Sequence, residues 1–153
     1  MNDTPWQPRS AFERLANCIF LGRLIDKARR SATGLPIGEY MYGENDYMDA
    51  RVLRFLRASR TDVDRIVREQ RNDAAAAREL VERSGRSARE VDAFNTRMML
   101  LYGLIFTMFD ADEGRKTGVF AGALAGFYNR VIYPPFAKKF ARDERSRAAT
   151  QAL

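Results

Sequence analysis

Carboxylates, one lysine and several tyrosines gather in one part of this sequence. They lie in Arg23-Leu-Ile-Asp-Lys-Ala-Arg-Arg30 and in the loop Gly34-Leu-Pro-Ile-Gly-Glu-Tyr-Met-Tyr-Gly43 that follows it. At helical spacing Asp26 falls one turn from Arg23, Arg29 and Arg30. These groups make either surface ion pairs worth about 0.3–0.5 kcal/mol each or a partly buried grip on an anion. Glu39, Tyr40 and Tyr42 could hydrogen-bond a polar ligand. They could equally pin the loop to the preceding helix, with Glu39 on Arg23 or Lys27. As a catalytic set, Glu39 or Asp26 would be the base. Lys27, Arg23 or Arg29 would hold an anionic substrate, and Tyr40 or Tyr42 would polarise it.

Composition narrows the chemistry. The chain has no histidine, which removes the commonest general base and the commonest transition-metal ligand, so no Ser-His-Asp or Cys-His arrangement can form within it. The single cysteine, Cys18, excludes an internal disulfide framework and fits a reducing compartment. On an apolar helical face it reads as a small buried hydrophobe. Gly34 and Gly38 lack the spacing and the preceding strand of a phosphate-binding loop. Asp110-Ala-Asp-Glu-Gly-Arg115 lacks the length and the terminal glutamate of a calcium loop, so it reads as a turn of solvated acids. No metal and no cofactor are expected.

The net charge of +6 is carried mostly by arginine. Arg51, Arg54 and Arg57 recur every three residues on one helix, as an exposed basic strip. This is the best candidate surface for a phosphate backbone. Acidic residues are mixed among the basic ones, an Arg-rich composition gives such strips by chance, and no aromatic residues interleave as single-stranded binding would need.

These residues must be positioned by helices. The expected fold is all-α, a compact multi-helix bundle of about six to seven helices in one domain over residues 1–153. Residues 1–9 read as an extended arm. Ser10-Ala-Phe-Glu13 matches a capping box that opens a first helix ending near Ala32. Asp46 caps a second, Thr61 with Asp64 opens a third, and Asn72 or Asp73 opens a fourth that Ser84-Gly85 breaks. Ser87-Ala-Arg-Glu90 is another capping box. The helix after it runs to Phe109, apolar nearly all round in its second half, and is expected at the centre of the core. Gly118, Gly122 and Gly126 are four apart on a later helix from Lys116 to Tyr133. They mark a face for close packing, within the chain or on a second subunit. A short helix follows Pro134-Pro135, and residues 142–153 read as a frayed tail. The apolar runs Met98–Phe109 and Thr117–Tyr128 are too short to span a bilayer, and no signal pattern opens the chain. A cytoplasmic location is expected.

Four stretches carry a likeness: Pro8-Arg-Ser10, Leu24-Ile-Asp-Lys-Ala-Arg29, Gly38-Glu-Tyr-Met-Tyr42 and Asp112-Glu-Gly-Arg115. They resemble the marks of a bacterial family known only as a domain of unknown function. Its members carry a Pro-Arg-Ser start, an Ile-Asp-Lys-Ala-Arg helix, a Gly-Glu-Tyr-x-Tyr loop and a late Asp-Glu-Gly-Arg turn. The likeness covers about residues 8–115; the middle of the chain departs from the family pattern, and the segment after Arg115 lies outside the usual domain. The resemblance implies a small helical cytosolic bacterial protein and brings no reaction, ligand or cofactor. It raises Asp26, Lys27, Arg29, Glu39, Tyr40 and Tyr42 above the other polar residues.

The leading functional expectation is a non-catalytic, self-associating helical binding or regulatory protein, whose polar cluster binds a small anion or a partner segment or simply fixes the fold. The absence of histidine, the absence of a catalytic motif and the glycine-ridged helix motivate it. The second is a small enzyme acting on an anionic metabolite through the carboxylate, lysine and tyrosine cluster. The third is nucleic-acid binding through Arg51, Arg54 and Arg57.

Overall fold

The computed structural model describes residues 6–115. Among them the elements are β1 (Arg14–Leu15), β2 (Cys18–Ile19), α1 (Leu21–Ala32), α2 (Tyr47–Leu56), α3 (Arg60–Glu69), α4 (Asp73–Ser84) and α5 (Ala88–Asp112). The structure is mostly helical, as expected. The later helices expected after Lys116, with Gly118, Gly122 and Gly126, lie outside the described residues. The chain divides into two compact units, Met1–Phe106 and Thr107–Leu153. No described helix is long and apolar enough to cross a membrane.

The sequence places one helix from Ser10 to Ala32, and the structure corrects this. Ser10 opens a turn, with the Glu13 amide donating to the Ser10 carbonyl at 3.2 Å. A small antiparallel hairpin follows, pairing Arg14 with Ile19 and Leu15 with Cys18. Ala16 (φ 47°) and Asn17 (φ 59°) are both left-handed, the pair that a two-residue hairpin turn requires. A helix cap contributes only about 1 kcal/mol, and bonds from far along the chain outweigh it. The Asn95 side chain on α5 accepts from the Ile19 amide at 2.9 Å and donates to the Asn17 carbonyl at 2.6 Å. Asn17 in turn donates to Asp92 at 2.8 Å. Phe20, held at φ 68° just before α1, stacks on Phe106 at 5.4 Å, and Phe12 meets Phe106 edge-on. Cys18 therefore lies on a strand, wholly buried. Burial pushes its thiol up to about 12, which fits a small inert hydrophobe.

Among the described residues α1 lies in the core. Its Leu21, Leu24, Ile25 and Ala28 are fully buried, and it lies against α3, α4 and β1. On α5 the inward line is Val91, Asn95, Met98 and Phe106, the spacing of one helical stripe. Leu100 is 82% exposed and Leu101 57%, because an apolar composition all round leaves the opposite face outside.

Local signals held where they were local. Asp46 caps α2 through the Met48 and Asp49 amides, Asn72 caps α4, and Ser87 and Glu90 exchange bonds at the start of α5. For α3 the cap is Ser59 with Asp62, two residues earlier than Thr61 with Asp64. In the second unit, α5 closes at Gly114 (φ 69°), where the Arg115 amide donates to the Asp110 carbonyl at 2.8 Å. Arg115 also pairs with Asp110 and Glu113. Among the described residues no acidic or thiol cluster could hold a metal ion.

Asn95 ties the hairpin to α5, so Asn95→Ala leaves a buried amide and a carbonyl unmet. It should lower the unfolding free energy by about 1–3 kcal/mol, read from a urea titration. An unchanged midpoint would show that the hairpin stands without α5.

Candidate functional site

The residues singled out in the opening cluster converge, but on partners inside the fold. Asp26 meets Arg9 rather than its helix neighbours. It accepts from the Arg9 amide at 2.7 Å and from the Arg9 guanidinium at 2.9 and 2.5 Å. Arg9 also reaches Asp73 at 2.5 Å, and Arg29 binds the other oxygen of Asp73 at 2.5 Å. Arg29 further donates to the Val67 and Gln70 carbonyls at 2.6 and 2.9 Å. One chain of charge, Asp26–Arg9–Asp73–Arg29, thus joins the N-terminal arm, α1 and the α3–α4 turn, and satisfies carbonyls at the end of α3. Burial pushes the Asp73 carboxyl up, but its bonds to Arg29 and Arg9 outweigh that and hold it below the usual range. Arg23 is buried, donates to the Arg9 carbonyl at 3.2 Å and lies over the Tyr40 ring.

Lys27 is 1% exposed and its side chain ends in the core. Its ammonium donates to Asp49 Oδ1 at 2.5 Å and to the Met41 carbonyl at 3.0 Å, with Asp46 at 3.5 Å. The other Asp49 oxygen accepts from the Gly43 amide at 2.9 Å. Gly43 adopts φ +89°, and a Cβ there would come within 2.8 Å of the Arg60 side chain, so the loop can turn onto Asp49 only with glycine. Burial pushes the Asp49 carboxyl up to about 6, against the pull of Lys27.

The loop residues divide. Tyr42 is buried and donates to Asp64 at 2.7 Å. Burial, then Asp64, raises its phenol well above the usual range. Tyr40 meets Trp6 edge-on, and Glu39 is exposed. Asp26 and Lys27 face different partners, Arg9 and Asp49. The cluster does structural work, holding the loop and arm to α1.

A second place holds charge that is not matched. A cleft of about 360 Å³ lies between α2, α5 and the turn before α5, lined by Arg51, Arg54, Arg86 and Arg97. Rings of Phe55, Phe94 and Tyr102 complete it, with Met98 and Leu101, and no carboxylate is among its lining residues. The Arg51 guanidinium lies between the Tyr47 and Tyr102 rings, at 4.3 and 4.7 Å. It donates to the Tyr47 hydroxyl, while its buried Nε has no hydrogen-bond partner. Phe55 and Phe94 stack at 4.1 Å with their planes 7° apart. Arg86 lies over Phe55, donates to its carbonyl at 3.0 Å and pairs with Glu90 at 2.9 Å. Arg54 and Arg97 are exposed, with no ion pair or hydrogen bond among the described residues.

Of the basic strip, then, Arg51 and Arg54 line the cleft, and Arg57, at the left-handed end of α2 (φ 53°), does not. Sequence reasoning missed Arg9, Asp49 and Asp73, which complete the internal networks, and Arg86, Arg97, Phe94 and Tyr102, which complete the cleft. A signal existed for the last three. Phe94, Arg97, Leu101 and Tyr102 share one helical face of α5. For Asp49 and Asp73 none did, since each reads as an ordinary first-turn acid.

A family model, DUF5069, described as a domain of unknown function, matches residues 6–103. No curated protein and no solved structure matches the chain.

Removing one partner of the buried pair leaves a bare charge. Lys27→Met should cost about 3–5 kcal/mol of stability, and Lys27→Met with Asp49→Leu should recover part of it. The pH dependence has a definite sign. The folded Asp49 value lies above the ordinary 3.8, so its contribution is full below 3.8 and lost as pH rises through about 6. The stability difference between the parent and Asp49→Asn should therefore shrink from pH 4 to pH 6. A flat difference would place the Asp49 titration outside that window.

Proposed function

The chain belongs to the DUF5069 family, and from that premise we propose that it is a non-catalytic binding protein whose ligand is an anion held in the arginine-lined cleft. The observation that carries this reading is a cleft lined by Arg51, Arg54, Arg86 and Arg97 with no carboxylate among its lining residues. Like charges around one opening repel. A bound anion relieves the repulsion. The opening cluster of Arg23, Asp26, Lys27 and Arg29 serves as the clamp of the fold in this reading, because its charges are taken up by one another. The enzyme alternative has less support for the same reason. The bacterial, cytoplasmic setting rests on the family motifs and on the lone buried Cys18.

A second reading, self-association, is favoured by the exposed Met99, Leu100, Leu101 and Leu104 on α5, a concentration of apolar surface that suits contact with another chain.

Inorganic pyrophosphate at low salt should raise the melting temperature of the full chain, and the shift should vanish in Arg54→Gln with Arg97→Gln. A ligand at a hundredfold excess over its dissociation constant stabilises by about 2.7 kcal/mol, well within reach of thermal denaturation. No shift at any salt concentration sinks the anion reading. For self-association, sedimentation equilibrium should find a dimer that Leu100→Glu dissociates; a parent chain that stays monomeric at high concentration ends that idea.

A further inference from the structure

The make-up of the cleft says more about its ligand than its sign. We infer that the anion carries a flat aromatic base, so that the ligand class is a nucleotide, a nucleobase joined to phosphate, either free or within a single strand. This rests on the reading of the cleft as an anion site.

A bare phosphate needs a few donors at one point. This cleft instead spreads about 360 Å³, the scale of a site for a whole small molecule. Its cationic and aromatic groups alternate in space. Arg51 lies over Tyr102, and Arg86 lies over Phe55, which stacks on Phe94. Guanidinium planes and aromatic rings are the two surfaces on which bases stack, and the guanidinium fork also grips phosphate. The aromatic interleaving absent from the Arg51, Arg54, Arg57 strip is supplied in three dimensions by α5, through Phe94 and Tyr102.

The rings are also prebuilt. The Phe55–Phe94 stack is near-parallel, and Arg51 is wedged by two tyrosines, so little rotamer freedom is lost on binding. Phe94 and Tyr102 remain only half-buried, and Leu101 beside them is 57% exposed. A base and sugar would cover that apolar surface, while phosphate would meet the exposed guanidinium groups of Arg54 and Arg97.

The test is isothermal titration calorimetry of the full chain with four probes: inorganic pyrophosphate, ribose 5-phosphate, adenosine monophosphate and a short single-stranded oligonucleotide. Adenosine monophosphate should bind about tenfold tighter than ribose 5-phosphate, the scale of one stacked base. Phe94→Leu and Tyr102→Leu, each checked for an unchanged melting profile, should remove that preference and keep pyrophosphate binding. Arg97→Gln should weaken every probe. A strand that binds tighter than the mononucleotide supports the inference with a strand as source, and the reverse order supports it with a free nucleotide. Ribose 5-phosphate binding as tightly as adenosine monophosphate overturns the inference and leaves the anion reading standing. Binding of none of the four overturns both.

Discussion

One buried ion pair sets the geometry on which the rest depends. The Lys27 ammonium and the Asp49 carboxylate meet at 2.5 Å in the interior, and a buried charge tolerates no substitute partner at a distance. Lys27 fixes the rotation of α1, Asp49 fixes α2 through the Asp46 cap, and Met41 and Gly43 bind the loop between them to the same two side chains. A slip of one residue in either helix would strand a charge in the core. The apolar residues of α1 fill a space that these polar contacts have already defined. On the other side of α1, Arg9, Asp26, Asp73 and Arg29 do the same for the arm and the α3–α4 turn.

This interior use of acids shapes the surface. The chain has 26 basic and 20 acidic side chains, and Asp26, Asp46, Asp49, Asp64 and Asp73 are all drawn into inward contacts. Among the described residues Arg51 and Arg54 of α2 and Arg97 of α5 have no carboxylate partner, and Arg86, in the turn before α5, has Glu90. Four arginines therefore line one cleft without a carboxylate among its lining residues, beside the rings of Phe94 and Tyr102. The contrast between Arg29, whose donors meet Asp73 and two carbonyls, and Arg51, whose Nε meets nothing, separates a residue that builds the fold from one placed at an opening.

Sequence reasoning read what was encoded locally. The caps at Asp46, Asn72 and Ser87 depend on side chains within three residues, and each was found. The hairpin was not, because Asn95 holds it from 76 residues away and the Ser10 box gave a competing local signal. The exposure of Leu100 was missed because apolar composition does not tell which face of α5 turns inward. The opening cluster was legible as residue types. Its partners Arg9, Asp49 and Asp73 were not, because each lies far along the chain from the side chain it meets. The cleft escaped notice because its arginines and its rings come from helices that sequence alone does not bring together.

The hairpin has a consequence for how the chain is made. The Ile19 amide finds its acceptor on Asn95, and Phe20 its stacking partner in Phe106. A ribosome adding about 5–20 residues per second reaches α5 roughly 4–15 s after it has placed the hairpin. Through that interval the nascent chain carries an unfinished hairpin, with Phe20 and the edge of β2 open to whatever lies near the tunnel exit. The first element is completed only once α5 has been made.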